Sequence, residues 1–399
     1  MLYTKGITEC NPSDVDYDED RLNTLNDHFQ SLVEDKEIYG ATYCLSRRGK
    51  VFAHGAVGYK TYKREESLPV SPTDVQYIAS MTKLYAGVAI TKLVEDGKLS
   101  LATMIGEVLP QFKNPPFDKI NVFHLLTHTS GMHPDGGCFP NDHNQGGYWQ
   151  FIGTAYEAWK NDKSKKKGKF DWISASLAYG VRTEPDKEWL YCSFGFSILG
   201  AVIEKLTGVN SHDYIMDNIV KPLGLKDTGF DVTPDMAKRY MIQNKWSEKL
   251  VEGILNGKPE KHGKPWESIP SLGGGMSSTV WDNVRFGNMI LHDGTFDGVR
   301  ILGRKAVEKI TDFAIRKPTY CWGAGGVLRD YAIGFDHRTG IEFSYSDSTV
   351  MHEGAGACAL YIDPEEELVA SWINPFVNQE VWCTKAMYNT INVIWSGLR

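Results

Sequence analysis

The sequence predicts an α/β fold in two lobes, an antiparallel sheet flanked by helices beside a mostly helical lobe. Strand-like runs sit at both ends of the chain, and helical periodicity fills the middle. The length, 399 residues, exceeds the usual size of a single core. One unit over 1–399 is expected, with the sheet lobe at about 1–79 and 265–399 and the helical lobe at about 80–264.

Ala41 to Arg47 and Val51 to Gly58 are β-prone runs separated by Arg48-Gly49-Lys50, which reads as a hairpin. A helix follows from about Ser80 to Asp96. Leu84, Tyr85, Val88, Leu93 and Val94 recur at helical spacing, and Gly97 stands where a terminating glycine belongs. Phe123 to Leu126 start a short helical piece that Gly131 and Pro134 end. From Pro134 to Trp172 the glycines at 136, 137, 146 and 147 read as loop chemistry, interleaved with Phe139, Tyr148, Trp149, Phe151 and Trp159. Lys163 to Lys169 reads as a solvated loop tip. Helices are predicted over Phe196–Leu206, ending at Gly208, and over Asp213–Val220, stopped by Pro222 and Gly224. The last eighty or so residues read as sheet: Tyr331–Phe335, Gly356–Ile362, a turn at Asp363-Pro364-Glu365, and Leu368–Ile373. A final helix from about Gln379 to Trp395 covers one face.

Composition excludes several classes. The chain is 42% hydrophobic and 12% aromatic, enough apolar surface to offset ordering entropy, so it is not disordered. A net charge of −7 argues against nucleic acid as the partner. No apolar run approaches the ~20 residues of a membrane span, so a soluble protein is expected. The first twenty residues carry Lys5, Glu9 and an acidic stretch from Asp14 to Asp20, not a secretory signal; a cytoplasmic protein is expected. Seven scattered cysteines, Cys10, Cys44, Cys138, Cys192, Cys321, Cys358 and Cys383, with no CxxC spacing, read as reduced thiols.

The strongest chemical signal is Ser80-Met81-Thr82-Lys83. Residues three apart on a helix share a face, so the serine and the lysine are within reach of each other. Lys83 is the sole charge from Val75 to Thr91. Burial on such an apolar helix lowers a lysine pKa, the property a base for serine needs. At a helix start, Ser80 also meets the positive end of the helix dipole. Tyr191-Cys192-Ser193 precedes the next long helix; Tyr191 is placed to relay protons, and Ser193 alternatively caps the helix. His352-Glu353-Gly354-Ala355-Gly356 opens a predicted strand whose glycines permit close backbone approach. His124 and His128 have the i, i+4 spacing of a helical metal pair, but no Glu follows His124, and no metal site is expected. Cys192 reads as a buried, inert thiol.

Taken together and in this order, these segments resemble the serine β-lactamase and penicillin-binding-protein superfamily. The branch resembled holds class C β-lactamases, DD-carboxypeptidases, D-aminopeptidases and related esterases. The likeness runs from about Ala41 to Ile373. It includes LVEDGKLSL (93–101), HLLTHTSG (124–131), YCSFGFSILGAVIEKLTG (191–208), PLGL (222–225) and GGGM (273–276). The resemblance implies a β-lactamase-like fold, Ser80 as nucleophile, Lys83 as its partner base and Tyr191 as general base or acid. It maps the Tyr-x-Asn element onto Tyr191-Cys192-Ser193 and the Lys-Thr-Gly strand motif onto His352-Glu353-Gly354. It places an oxyanion hole at the backbone N–H groups of Ser80 and Ala355.

Three departures stand out. Ser193 replaces an asparagine that contacts the acyl amide, and His352 replaces a lysine that helps hold a substrate carboxylate. At neutral pH, His352 is expected to be mostly neutral, offering a hydrogen bond instead of a charge; Arg316 is an alternative cation. Leu101-Ala102-Thr103 stands where relatives carry aspartates. The expected function is a serine hydrolase of small esters, amides or short peptides, with no metal or organic cofactor and no nucleic-acid or membrane partner. The alternatives are a β-lactamase or DD-carboxypeptidase, an acyltransferase using the same acyl-enzyme, and a binding protein without turnover.

Overall fold

The computed structural model describes residues 2–64, 68–136, 147–162, 168–259, 265–312, 315–318, 328–339, 343–355, 358–375 and 382–399. Among the described residues, nine strands form one sheet, in the order β1-β3-β2-β13-β12-β11-β10-β9-β8, and every pairing is antiparallel. The N-terminal segment supplies β1 (Tyr3–Lys5), β2 (Gly40–Arg47) and β3 (Lys50–Gly58). Two ribbons stand apart: β4 (Gln76–Tyr77) with β5 (Ser277–Ser278), and β6 (Thr295–Phe296) with β7 (Val299–Arg300). The C-terminal segment supplies β8 (Ile315–Pro318), β9 (Leu328–Tyr331), β10 (Asp336–Thr339), β11 (Val350–Gly354), β12 (Cys358–Asp363) and β13 (Leu368–Ile373). β13 pairs with β2 from Ile373 opposite Thr42 to Leu368 opposite Arg47, so the two ends of the chain close one sheet.

Helices cover both faces, so the strands are buried on both sides. Alternation along β13 divides its side chains: Leu368, Ala370 and Trp372 join one core, Val369 and Ile373 the other. The first core packs against the helices Glu19–Glu34 and Thr390–Trp395. The second continues into the helices Thr82–Glu95, Ser193–Thr207 and Val280–Leu291, and carries the site.

The predicted hairpin is present. Arg48 and Gly49 turn it with φ of 53° and 76°, the left-handed pair that a two-residue loop requires, and Lys50 opens β3. Several expectations need correction. The segment after Pro134 is not loop throughout, because Gly147–Asn161 is helical. Tyr148 and Ile152, four apart, are its buried residues, a spacing the glycines and crowded aromatics obscured. Of the predicted strand Tyr331–Phe335 only Tyr331 is in a strand, as the last residue of β9: residues 332–335 turn between β9 and β10, with Ala332 N–H bonded to Phe335 O and Gly334 at φ 78°. That apolar turn is buried below the helix Thr82–Glu95, where Ile333 O comes against Gly87. His352 does not open a strand but lies within β11, whose last residue is Gly354. Cys138, Phe139, Cys321, Gly356, Gln379 and most of the lysine run lie outside the described residues. Among the described residues, no helix is long and apolar enough to cross a membrane.

Candidate active site

Ser80 lies in a 3-10 turn, Ala79–Met81, that feeds directly into the helix Thr82–Glu95. The turn is strained. Ala79 has φ of 43°, a left-handed conformation that costs a residue with a Cβ ~1–2 kcal/mol. The surroundings hold it there. Thr82 Oγ1 donates to Ala79 O at 2.7 Å and accepts from Met276 N–H at 3.1 Å, while Ile78 N–H bonds Met276 O. The β4–β5 ribbon thus ties the serine turn to the glycine loop 273–275.

That loop reaches the lysine. Lys83 is fully buried, and its Nζ is 2.6 Å from Gly273 O, 2.9 Å from Ser193 Oγ and 3.1 Å from Ser80 Oγ. It also lies over the rings of Tyr191, at 4.8 Å from the centroid, and Phe196, at 5.4 Å. A neutral amine has two N–H donors and one lone pair. Gly273 O can only accept, and the three oxygens suit either an ammonium that donates to all of them or a neutral amine that donates to Gly273 and Ser193 and turns its lone pair to the Ser80 hydroxyl. Glycine is required at 273, since a Cβ there would fall 2.5 Å from Ser193 O.

Ser193 opens the helix Ser193–Thr207 and does not act as its cap; Cys192 stands at that position. Both Ser193 donors go to Asp135: Oγ to Oδ2 at 2.5 Å, and backbone N–H to Oδ1 at 2.9 Å. Asp135 N–H in turn bonds Tyr191 O. Tyr191 itself is buried, its ring 4.3 Å from that of His128. Lys83, Tyr191 and His352 are all interior, whereas Ser80, Ser193 and Asp135 are half-buried and form the accessible side of the cluster.

His352 sits in a chain of hydrogen-bonding groups. Its Nδ1 is 2.7 Å from Glu353 O, an acceptor only, so Nδ1 carries the proton. Its Nε2 is 3.3 Å from Tyr331 OH, which is 3.2 Å from His128 Nε2. His128 Nδ1 accepts from Cys192 N–H at 3.0 Å, which places the His128 proton on Nε2. His128 therefore donates to Tyr331, and with a neutral His352 ring Tyr331 donates onward to its Nε2. Both ring nitrogens of His352 lie within hydrogen-bond distance of protein groups, Glu353 O and Tyr331 OH. Gly354 has a steric reason, because a Cβ would fall 2.2 Å from Ile78 O. Its absence lets the end of β11 lie against the serine turn, with Ala355 exposed at the next position.

The two histidines of the i, i+4 pair have separate partners. His124 bonds Asp186 at 3.0 Å and Asn121 N–H, while His128, at φ 60°, has left the helix and joins Tyr331. Burial pushes the Cys192 thiol up to about 12, aided by the Asp135 charge, so it stays protonated. The side chain of Arg316 lies outside the described residues. Sequence reasoning missed Asp135, Tyr331 and Gly273 as site neighbours, and His128 as anything beyond a turn. Asp135 left one signal, an acid between Pro134 and a glycine pair.

The fold and cluster define a class, the serine acyl-transferring hydrolases of the β-lactamase and penicillin-binding type. The Beta-lactamase family model matches residues 25–382, and the chain belongs to that family. Penicillin-binding protein 4 of Amycolatopsis lactamdurans is 28% identical over 339 residues, 80% of each chain. Protein flp of Staphylococcus aureus strain MW2 is 28% identical over 225 residues, 56% of this chain and 40% of its own length. Among solved structures, EstCE1, described as a hydrolase with promiscuous acyltransferase activity, superposes with a TM-score of 0.71 at 17% identity, covering 94% of this chain and 99% of its own.

Proposed function

We propose that the protein is a serine hydrolase that forms an acyl-enzyme on Ser80 and cleaves small esters or amides. The type is esterase or D-amino-acid peptidase, with at most weak β-lactamase action. The observation that carries this reading is Lys83 Nζ at 3.1 Å from Ser80 Oγ, with Gly273 O and Ser193 Oγ as its further partners.

In acylation, Ser80 Oγ attacks the substrate carbonyl carbon and its proton passes to Lys83 Nζ. The carbonyl oxygen becomes an oxyanion, to which the N–H groups of Ser80 and Ala355 donate; one such donor is typically worth ~10²–10³ in rate. Collapse breaks the bond to the leaving group, which takes a proton from Lys83 or Tyr191. Water then attacks the ester carbonyl on Ser80, losing its proton to the same pair. The acid leaves and the serine hydroxyl is restored.

Substrate choice follows from charge. A lysine at position 352 would supply a cation for a carboxylate; His352 is committed to Tyr331 and Glu353. Ser193 spends its donors on Asp135, which leaves them unavailable to an acyl amide. Both features support uncharged substrates. The kcat/KM for p-nitrophenyl acetate or butyrate at pH 7.5 is expected to exceed that for a chromogenic cephalosporin by at least about tenfold, ~1.4 kcal/mol. Equal values would restore the β-lactamase or carboxypeptidase reading.

A further inference from the structure

We infer that Asp135 is a positioning residue, which sets the direction of the hydrogen bonds around Lys83 by acting through Ser193. The inference rests on the reading of Ser80 as nucleophile and Lys83 as its base.

A carboxylate accepts and cannot donate. With Oδ2 at 2.5 Å from Ser193 Oγ and Oδ1 at 2.9 Å from Ser193 N, Asp135 takes both the hydroxyl and the amide hydrogen of Ser193. The Ser193 proton therefore points away from Lys83, and the Oγ lone pairs face Nζ at 2.9 Å. Lys83 must donate to Ser193, as it must to Gly273 O at 2.6 Å. The lone pair of the neutral amine is left for the Ser80 hydroxyl at 3.1 Å. Once Lys83 has taken the Ser80 proton, the same two acceptors still fit the ammonium, so neither partner has to reorient during the transfer. Such fixed dipoles are the pre-organisation on which proton transfer in a buried site depends. Asp135 is anchored for this task, its own N–H held by Tyr191 O at 2.8 Å.

An amide of the same shape would reverse the pattern. In Asp135→Asn, Oδ1 keeps the Ser193 N–H while the NH2 group donates to Ser193 Oγ. The Ser193 hydroxyl then turns its proton to Lys83 and competes with Ser80 for the single lone pair. In Asp135→Ala the hydroxyl is merely released to rotate. A directional role therefore ranks the isosteric amide below alanine, whereas a space-filling role ranks it above.

The test uses p-nitrophenyl acetate kinetics on the full chain, with thermal melts to establish that each variant is folded. Expected are kcat/KM losses of about 30–100-fold for Asp135→Asn and about tenfold for Asp135→Ala, carried by kcat, on the scale of impaired general-base catalysis. Adding Ser193→Ala to Asp135→Asn removes the misdirected proton and should return activity to within about threefold of Ser193→Ala alone, a non-additive cycle. Asp135→Asn retaining wild-type activity, or exceeding Asp135→Ala, overturns the inference while the nucleophile reading stands. Ser80→Ala turning over at the wild-type rate overturns both. If the amide variant does not fold, Ser193→Ala alone carries the test: about a tenfold fall in kcat with KM unchanged supports the role, and an unchanged kcat overturns it.

Discussion

Two hydrogen-bond chains run through this site, and they end differently. The first goes from Ser80 through Lys83 and Ser193 to Asp135, and has a hydroxyl at one end and a carboxylate at the other. The second goes from Cys192 N–H through His128, Tyr331 and His352 to Glu353 O, closed at both ends by backbone groups that cannot exchange roles. A chain with ionisable ends can move a proton. A chain closed by a peptide N–H and a peptide C=O holds its tautomers and its shape. On the proposed reading the first chain carries the chemistry, and the second fastens the Tyr191 segment to β11.

Breaking the first chain should produce the largest effect. Lys83→Met, which breaks it, and Tyr191→Phe, which changes the ring that lies against the lysine, should each lower kcat/KM by roughly two orders of magnitude or more, the scale of general acid–base catalysis, with the melting curve little changed. A loss of tenfold or less in both folded variants would move the proton shuttle elsewhere.

Breaking the second should show in stability before activity. Tyr331→Phe deletes two buried hydrogen bonds, at about 2–4 kcal/mol in urea unfolding, while kcat/KM for the preferred ester changes less than about tenfold. A hundredfold kinetic loss with unchanged stability would erase the distinction between the chains.

A second carboxylate, outside both chains, sharpens the contrast. Asp282, in the helix Val280–Leu291, is pushed up to about 6, chiefly by burial, although Asp227 N–H and Thr228 Oγ1 donate to it. A raised acid binds its proton more tightly in the folded state, so its stabilising share is complete below about pH 4 and lost as pH rises towards about 6. Comparing urea unfolding at pH 4 and pH 7, Asp282→Asn should gain roughly 2–3 kcal/mol on the wild type across that interval. A difference independent of pH would mean that Asp282 ionises without penalty.

Much of the nucleophile side was legible in the sequence, because Ser80 and Lys83 lie on one helical turn and local spacing fixes their relation. The Arg48-Gly49 turn and the terminator Gly97, at φ 66°, were readable for the same reason. What escaped depends on long-range pairing. Asp135 meets Ser193 across 58 residues, and Tyr331 meets His128 across 203, separations over which no local pattern operates. The buried turn at 332–335 looked like a strand because tertiary packing, not alternation, makes it apolar. His352 was legible as a substitution but not as a residue whose nitrogens are both engaged, since that required seeing Tyr331.

The central claim is that Ser80 is the nucleophile, activated by Lys83. Incubation with a fluorophosphonate, followed by intact-mass measurement and peptide mapping, tests it most directly. The account predicts one adduct, on Ser80, lost in Ser80→Ala and formed far more slowly in Lys83→Met. An adduct mapped to another serine, still formed in Ser80→Ala, would contradict it.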